Sequence, residues 1–157
     1  MAKAISHIPA GFHSLTAHLC LPGAAKYIDF LKSAIGAEEI SRSPGPGGKL
    51  LHAQGRIGDS FLMFSDDFGA GMGLPPLAQG RLPFHLNLYV PDADATWAQA
   101  IAAGCEVTMP MGDQFWGDRY GQVRDPFGMS WAIATRIEDL TGAEQQERAA
   151  KAFGGHS

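Results

Sequence analysis

The feature that most constrains the fold is an internal repeat in the order strand, helix and three strands. The first copy is predicted as a strand at 14–21, a helix at 24–35 and strands at 38–43, 50–56 and 60–65. The second copy is predicted as a strand at 84–90, a helix at 95–103 and strands at 106–109, 120–124 and 129–134. Such a unit leaves one sheet face uncovered, so the two copies are expected to pair with their helices outside.

The repeat predicts an α+β fold of two βαβββ modules, whose mostly antiparallel, curved sheets enclose a cavity. The first module spans 14–66 and the second spans 83–136. Residues 67–82 are rich in glycine and proline and are predicted to be a linker or flap. Residues 137–157 are predicted to form a C-terminal helix and tail.

Composition and charge exclude several classes of function. The 157 residues are 45% hydrophobic, which is enough for a packed core, and their net charge of -4 offers no basic surplus for nucleic acid. The longest apolar runs are too short to cross a bilayer, so no membrane partner is expected and a cytoplasmic location is predicted. The two cysteines, Cys20 and Cys105, have no metal-binding spacing and are predicted to be small buried residues.

One segment carries a specific family resemblance. The run Gln114-Phe115-Trp116-Gly117-Asp118-Arg119-Tyr120-Gly121, followed by Asp125-Pro126-Phe127-Gly128 and Trp131, resembles the signature of the PhnB-like branch of the vicinal-oxygen-chelate superfamily. That superfamily contains glyoxalases, bleomycin-resistance proteins and dioxygenases. The similarity covers almost everything from residue 14 to about residue 150. It implies a small-molecule ligand and a homodimer, with modules that pair within one chain or are swapped between chains.

The resemblance also implies where a metal would be held. In metal-dependent relatives four side chains, typically His, Glu or Gln, project from the first and last strand of each module. The predicted register puts these positions at Thr16, Met63, His85 and Ala132. Only His85 is a good ligand, since a hydroxyl binds zinc poorly, a thioether prefers Cu(I) and alanine has no donor. The family's metal chemistry is therefore not expected here, and no cofactor is predicted.

The same register predicts a set of ligand-binding side chains on the uncovered sheet face. It consists of Thr16, His18, His52, Gln54, Met63, Ser65, His85, Asn87, Tyr89 and Ser130. Trp116, Arg119 and Tyr120 could form a further wall of this site, with the guanidinium pairing with an anion. Alternatively, the two rings are structural anchors and Asp118 pairs locally with Arg119.

Three functions remain open at this point. The first is a metal-independent, bleomycin-resistance-like protein that binds a small molecule without converting it. The second is a lyase, isomerase or dioxygenase-like enzyme, which uses either His85 as a general base or a zinc ion held by His18, His52 and His85. The third is a partner-binding or regulatory module that uses the flap and the C-terminal helix.

Overall fold

The fold is that of a computed structural model, which describes residues 8–68 and 84–153. Contacts between Cα atoms divide the chain into two compact units, Met1–Gly80 and Arg81–Ser157. Most of the predicted linker, residues 69–82, and the end of the predicted tail, residues 154–157, lie outside the described residues. Among the described residues, no helix is both long enough and apolar enough to cross a membrane.

The first unit contains one helix and a four-stranded sheet. In chain order its elements are β1 (Ala17–Cys20), α1 (Ala24–Ile35), β2 (Glu38–Pro44), a 3-10 turn (Pro46–Gly48), β3 (Leu50–Ile57) and β4 (Ser60–Ser65). The strand order is β1-β4-β3-β2, in which β1 and β4 are parallel and the other neighbours are antiparallel.

The second unit repeats this arrangement and adds a helix at its end. Its elements are β5 (Leu86–Tyr89), α2 (Ala93–Ala102), β6 (Glu106–Asp113), β7 (Asp118–Arg124), β8 (Ser130–Arg136) and α3 (Gly142–Phe153). The strand order is β5-β8-β7-β6, again with one parallel pair, β5 and β8. The predicted α+β class and the two βαβββ modules are confirmed.

Helices α1 and α2 each cover one face of the sheet of their own unit. In the first unit Tyr27, Ile28 and Leu31 of α1 are buried, and the Tyr27 ring meets the Phe64 ring edge-on at 6.1 Å between centroids. In the second unit a Cβ added to Gly121 would lie 2.6 Å from the Trp97 ring of α2, so glycine there lets the helix pack closely on β7. The opposite face of each sheet is called the open face below.

The last strand of each unit also fixes the start of the unit's helix. Asp66 follows β4, and its carboxylate accepts hydrogen bonds from the backbone N–H groups of Gly23, Ala24 and Leu50 at 2.7, 3.3 and 2.6 Å. In the second unit Thr135 of β8 accepts a hydrogen bond from the Ala93 N–H at 2.8 Å. Both contacts satisfy N–H groups that have no partner within the helix.

Asp125 stabilises the turn before β8 and also contacts the core. It accepts hydrogen bonds from the N–H groups of Phe127 and Met129, and Gly128 has φ 91°. The second carboxylate oxygen of Asp125 accepts a hydrogen bond from the Trp131 indole at 3.0 Å. Trp131 is buried on the covered face.

Two predictions about burial are wrong. The predicted strand at 14–21 alternates so that Leu15 would share the covered face with Leu19, but Leu15 precedes β1 and is 91% exposed because the strand begins only at Ala17. Cys20 was expected to be buried like Cys105 but is only partly buried, since it lies on the open face of β1. Its thiol donates to the Asp66 carbonyl oxygen at 3.6 Å.

Candidate functional site

The open face of the first sheet brings together most of the residues predicted there. Strand β4 runs between β1 and β3, and Met63 is the register partner of both His18 and Gln54. Two residues further along β4, Ser65 is the register partner of Cys20. The antiparallel register of β3 and β4 places His52 beside Ser65. The predicted register is thus reproduced in this unit, including the facing of His52 and Gln54.

Two histidines and a serine are in contact on this face. The rings of His18 and His52 meet edge-on at 5.7 Å between centroids, with an interplanar angle of 89°. His18 Nε2 lies 3.1 Å from Ser65 Oγ, a hydrogen bond in either direction according to the tautomer. Burial, and secondly the charge of His52, lower the pKa of His18, which favours its neutral form near pH 7.

The open face of the second sheet is built around a buried carboxylate. Asp118 of β7 is 3% exposed, and its Oδ2 accepts hydrogen bonds from the Tyr89 hydroxyl at 2.7 Å and from the Trp116 indole at 3.1 Å. The hydrogen bond to Asp118 raises the pKa of Tyr89, with burial as the second cause. Asp118 was not predicted as a site residue, because its partner Tyr89 is 29 residues away in the chain.

Aromatic and amide groups extend this cluster along β7. The Trp116 ring meets the Tyr120 ring edge-on at 5.3 Å, and the Gln122 side chain donates to the Tyr120 hydroxyl at 2.7 Å. Gln122 pairs in register with Ala132, which in turn pairs with Asn87. Tyr89, Asn87, Trp116 and Tyr120 therefore belong to one surface, and their role in ligand binding stays a prediction.

Arg119 does not belong to that surface. Alternation along β7 places it on the opposite face from Asp118 and Tyr120, so the predicted local pair with Asp118 is wrong. Its guanidinium instead contacts both carboxylate oxygens of Asp94 at 2.7 and 2.9 Å, and Asp113 at 3.1 Å. Two carboxylates thus hold it on the α2 side, so the predicted wall with Trp116 and Tyr120 is not formed.

The four positions that correspond to the metal ligands of relatives can be placed by strand register. Met63 lies on the open face of β4, and Ala132 lies on the open face of β8 with its side chain fully buried. Thr16 and His85 each come two residues before the open-face residues His18 and Asn87, just ahead of β1 and β5. His85 is exposed, and its role as a general base stays a prediction.

The side chains at these four positions are not a suitable ligand set for the metal ion of the metal-dependent relatives. Ala132 carries no donor atom, and the thioether of Met63 is a soft ligand that suits neither zinc nor manganese. Within residues 8–68 and 84–153, no three or more His, Cys, Asp or Glu side chains are grouped so as to hold a metal ion.

Sequence and structure comparisons agree with this fold. An uncharacterized protein of Mycobacterium bovis is 40% identical over 136 residues, which cover 85% of this chain and 90% of the relative. A PhnB protein from Bacillus cereus has a TM-score of 0.62 at 17% identity, covering 78% of this chain and 99% of its own. The fosfomycin resistance protein FosX from Listeria monocytogenes, solved with Mn(II) and sulfate, has a TM-score of 0.60 at 16% identity, covering 85% and 97%.

The likeness to these two solved structures shows the fold. Family membership rests on a separate match, in which residues 11–133 fit the sequence model of one superfamily. With this match and the two βαβββ units, the chain belongs to the glyoxalase/bleomycin resistance protein/dioxygenase superfamily.

Proposed function

We propose that the protein binds a small organic molecule on its open sheet faces and does not convert it, as bleomycin-resistance proteins do. The observation that carries this proposal is the group formed by His18, His52 and Ser65, whose hydrogen-bonding side chains stand on the sheet face opposite α1. Polar side chains in such a position serve a ligand better than they serve packing.

The protonation state of His18 indicates which chemical class of ligand this face can bind. Since its pKa is lowered, His18 is mostly neutral at pH 7 and offers one donor and one acceptor nitrogen. Met63 and Gln54 flank it with a polarizable thioether and an amide. Together these groups suit an uncharged or weakly polar molecule better than a phosphate or carboxylate, which would be bound better by a guanidinium.

The second sheet offers aromatic surface to a ligand. Asp118 fixes the polar ends of Tyr89 and Trp116, so their rings are held in one orientation before a ligand arrives. Rings held in this way contribute apolar contact at little cost in conformational entropy. A planar molecule with hydrogen-bonding groups at its edge suits either surface taken by itself.

We further propose that this binding does not need the metal of the metal-dependent relatives. FosX was solved with Mn(II), and manganese is bound mainly by carboxylate and other oxygen ligands. The corresponding positions here supply a threonine, a methionine, a histidine and an alanine, which make no such set. The proposal rests on the identity of these side chains and on the register that puts Met63 and Ala132 on the open faces.

The test is a thermal-shift screen of planar, uncharged compounds against protein treated with a chelator. Compounds that raise Tm are then measured by calorimetry with wild type, His52→Ala and Tyr120→Ala. His13→Ala is the matched control, because His13 is an exposed histidine outside every strand. We expect weaker binding in at least one of the two site variants, according to which sheet holds the ligand, and unchanged binding in the control. Binding that is equal in all four proteins would overturn the proposal.

A further inference from the structure

The open face of the first sheet concentrates soft donor atoms in a small area. Met63 lies on the central strand of this area and is the register partner of His18 on β1. His52 lies on the other neighbouring strand, two residues from Gln54, which is also a register partner of Met63. The two imidazoles and the thioether therefore lie on three adjacent strands, and their register positions differ by no more than two residues.

The two imidazoles already have a separation that one metal ion can bridge. Their ring centroids are 5.7 Å apart. With a metal–nitrogen distance of about 2.0 Å, two imidazoles bound to one ion have centroids roughly 5–6 Å apart. To reach a shared ion the two rings must rotate out of their edge-on contact, and His18 must either give up the 3.1 Å contact of its Nε2 with Ser65 Oγ or bind through Nδ1.

The neighbouring donors point to a soft ion. The nearby carboxylate of Asp66 is occupied by three backbone N–H groups, and the Cys20 thiol is directed to the Asp66 carbonyl. Met63 is the direct register partner of His18, whereas Cys20 lies two residues further along β1, so the Met63 thioether is the third donor proposed here. Thioether ligands select Cu(I), whereas zinc and manganese favour thiolate, imidazole or oxygen sets.

We propose that His18, His52 and Met63 form a copper(I) site on the open face of the first sheet. The site lies within one unit, so it does not depend on His85 or on the second sheet. It goes beyond the small-molecule function proposed above, which is tested on chelated protein. One proposal can therefore fail while the other holds.

The test is anaerobic titration of chelated protein with Cu(I) in competition with a chromogenic Cu(I) chelator. Wild type is expected to bind one equivalent. We expect weaker Cu(I) binding, by at least roughly 100-fold, in each of His18→Ala, His52→Ala and Met63→Leu. Loss of a residue that only supports a metal ligand already lowers metal affinity by about 10–100-fold. Zinc binding, measured in parallel, is expected to fall in the histidine variants and to be unchanged in Met63→Leu.

Matched controls separate this site from adventitious binding. His13→Ala and Met129→Leu change the same residue types elsewhere, and Cys20→Ser removes the nearest thiol; all three are expected to bind Cu(I) like wild type. Circular dichroism checks that each variant is folded. Unchanged Cu(I) affinity in Met63→Leu, or loss of binding in Cys20→Ser alone, would overturn the assignment.

Discussion

The protonation of His18 depends on its surroundings. Partial burial and the nearby His52 disfavour its protonated form, so its pKa in the folded protein is below the ordinary value. Neither effect could be predicted from the sequence, because β1 and β3 are brought together only by pairing with β4. The sequence did predict that His18 and His52 share a face, from the alternation within each strand together with the predicted register between strands.

The lowered pKa of His18 predicts a pH-dependent part of stability. Between its lowered pKa in the folded protein and the unfolded value of about 6.5, His18 binds more protons in the unfolded chain than in the folded protein. Its contribution to the free energy of unfolding is therefore fully present above the unfolded pKa and is lost as pH falls through the folded pKa. Urea unfolding of wild type and His18→Gln at about pH 7.5 and about pH 5 measures this effect. Wild type is expected to lose more free energy of unfolding than the variant; equal losses would contradict the account.

Asp118 is expected to stabilise the second unit as well as to orient two rings. Removal of its carboxylate in Asp118→Ala leaves the Tyr89 hydroxyl and the Trp116 indole without their acceptor, which should cost about 1–3 kcal/mol in free energy of unfolding. The pKa of Tyr89 should also fall, which ultraviolet titration measures. Asp113→Ala is the control, because that carboxylate is exposed and its pair with Arg119 contributes little. A Tyr89 pKa that does not move would contradict the contact.

Among the helices and strands, the sequence predicted best the bounds of elements that proline and glycine delimit. Helix α1 has the predicted bounds because Pro22-Gly23 and Gly36 delimit it, and Gly36 adopts φ 70° at the C-terminal end. Strand β6 extends to Asp113, beyond the predicted end at residue 109, although it contains Pro110. It is an edge strand with register shifts between Val107 and Met109 and between Met109 and Gly112, where proline is tolerated. Such pairing depends on β7 and not on local propensity.

Among the contacts between elements, we expect the hydrogen bonds of the Asp66 carboxylate to contribute most to the free energy of unfolding. Its carboxylate joins the start of α1 to the start of β3 through three backbone N–H groups. Asp66→Ala is expected to lower the free energy of unfolding by about 2–4 kcal/mol, because a hydrogen bond to a charged group contributes roughly 1.5–3 kcal/mol. Asp59→Ala in the exposed turn before β4 should change it by less than about 0.5 kcal/mol. Chemical denaturation of both variants decides, and similar losses would refute the role of Asp66.

At the scale of the whole chain, the repeat predicted the architecture because each βαβββ unit must cover one sheet face with its own helix. The candidate site was predicted only in part. Strand alternation identified which side chains face outward, but Arg119 was misassigned because its partners Asp94 and Asp113 come from other elements. A local motif does not reveal contacts of that kind.

The resemblance to other members of the superfamily predicts a homodimer. Light scattering of the purified protein is expected to give twice the chain mass of 16.7 kDa at micromolar concentration. A mass of one chain over the whole concentration range would refute this prediction.

The measurement that tests the central claim most directly is calorimetric titration of one screened ligand into chelated and manganese-supplemented protein, with wild type and His52→Ala side by side. The account predicts equal affinity of wild type with and without manganese, and a loss of at least tenfold, or about 1.4 kcal/mol, in the variant. Ligand binding or turnover only in the manganese-supplemented protein would contradict it and would favour a metal-dependent enzyme.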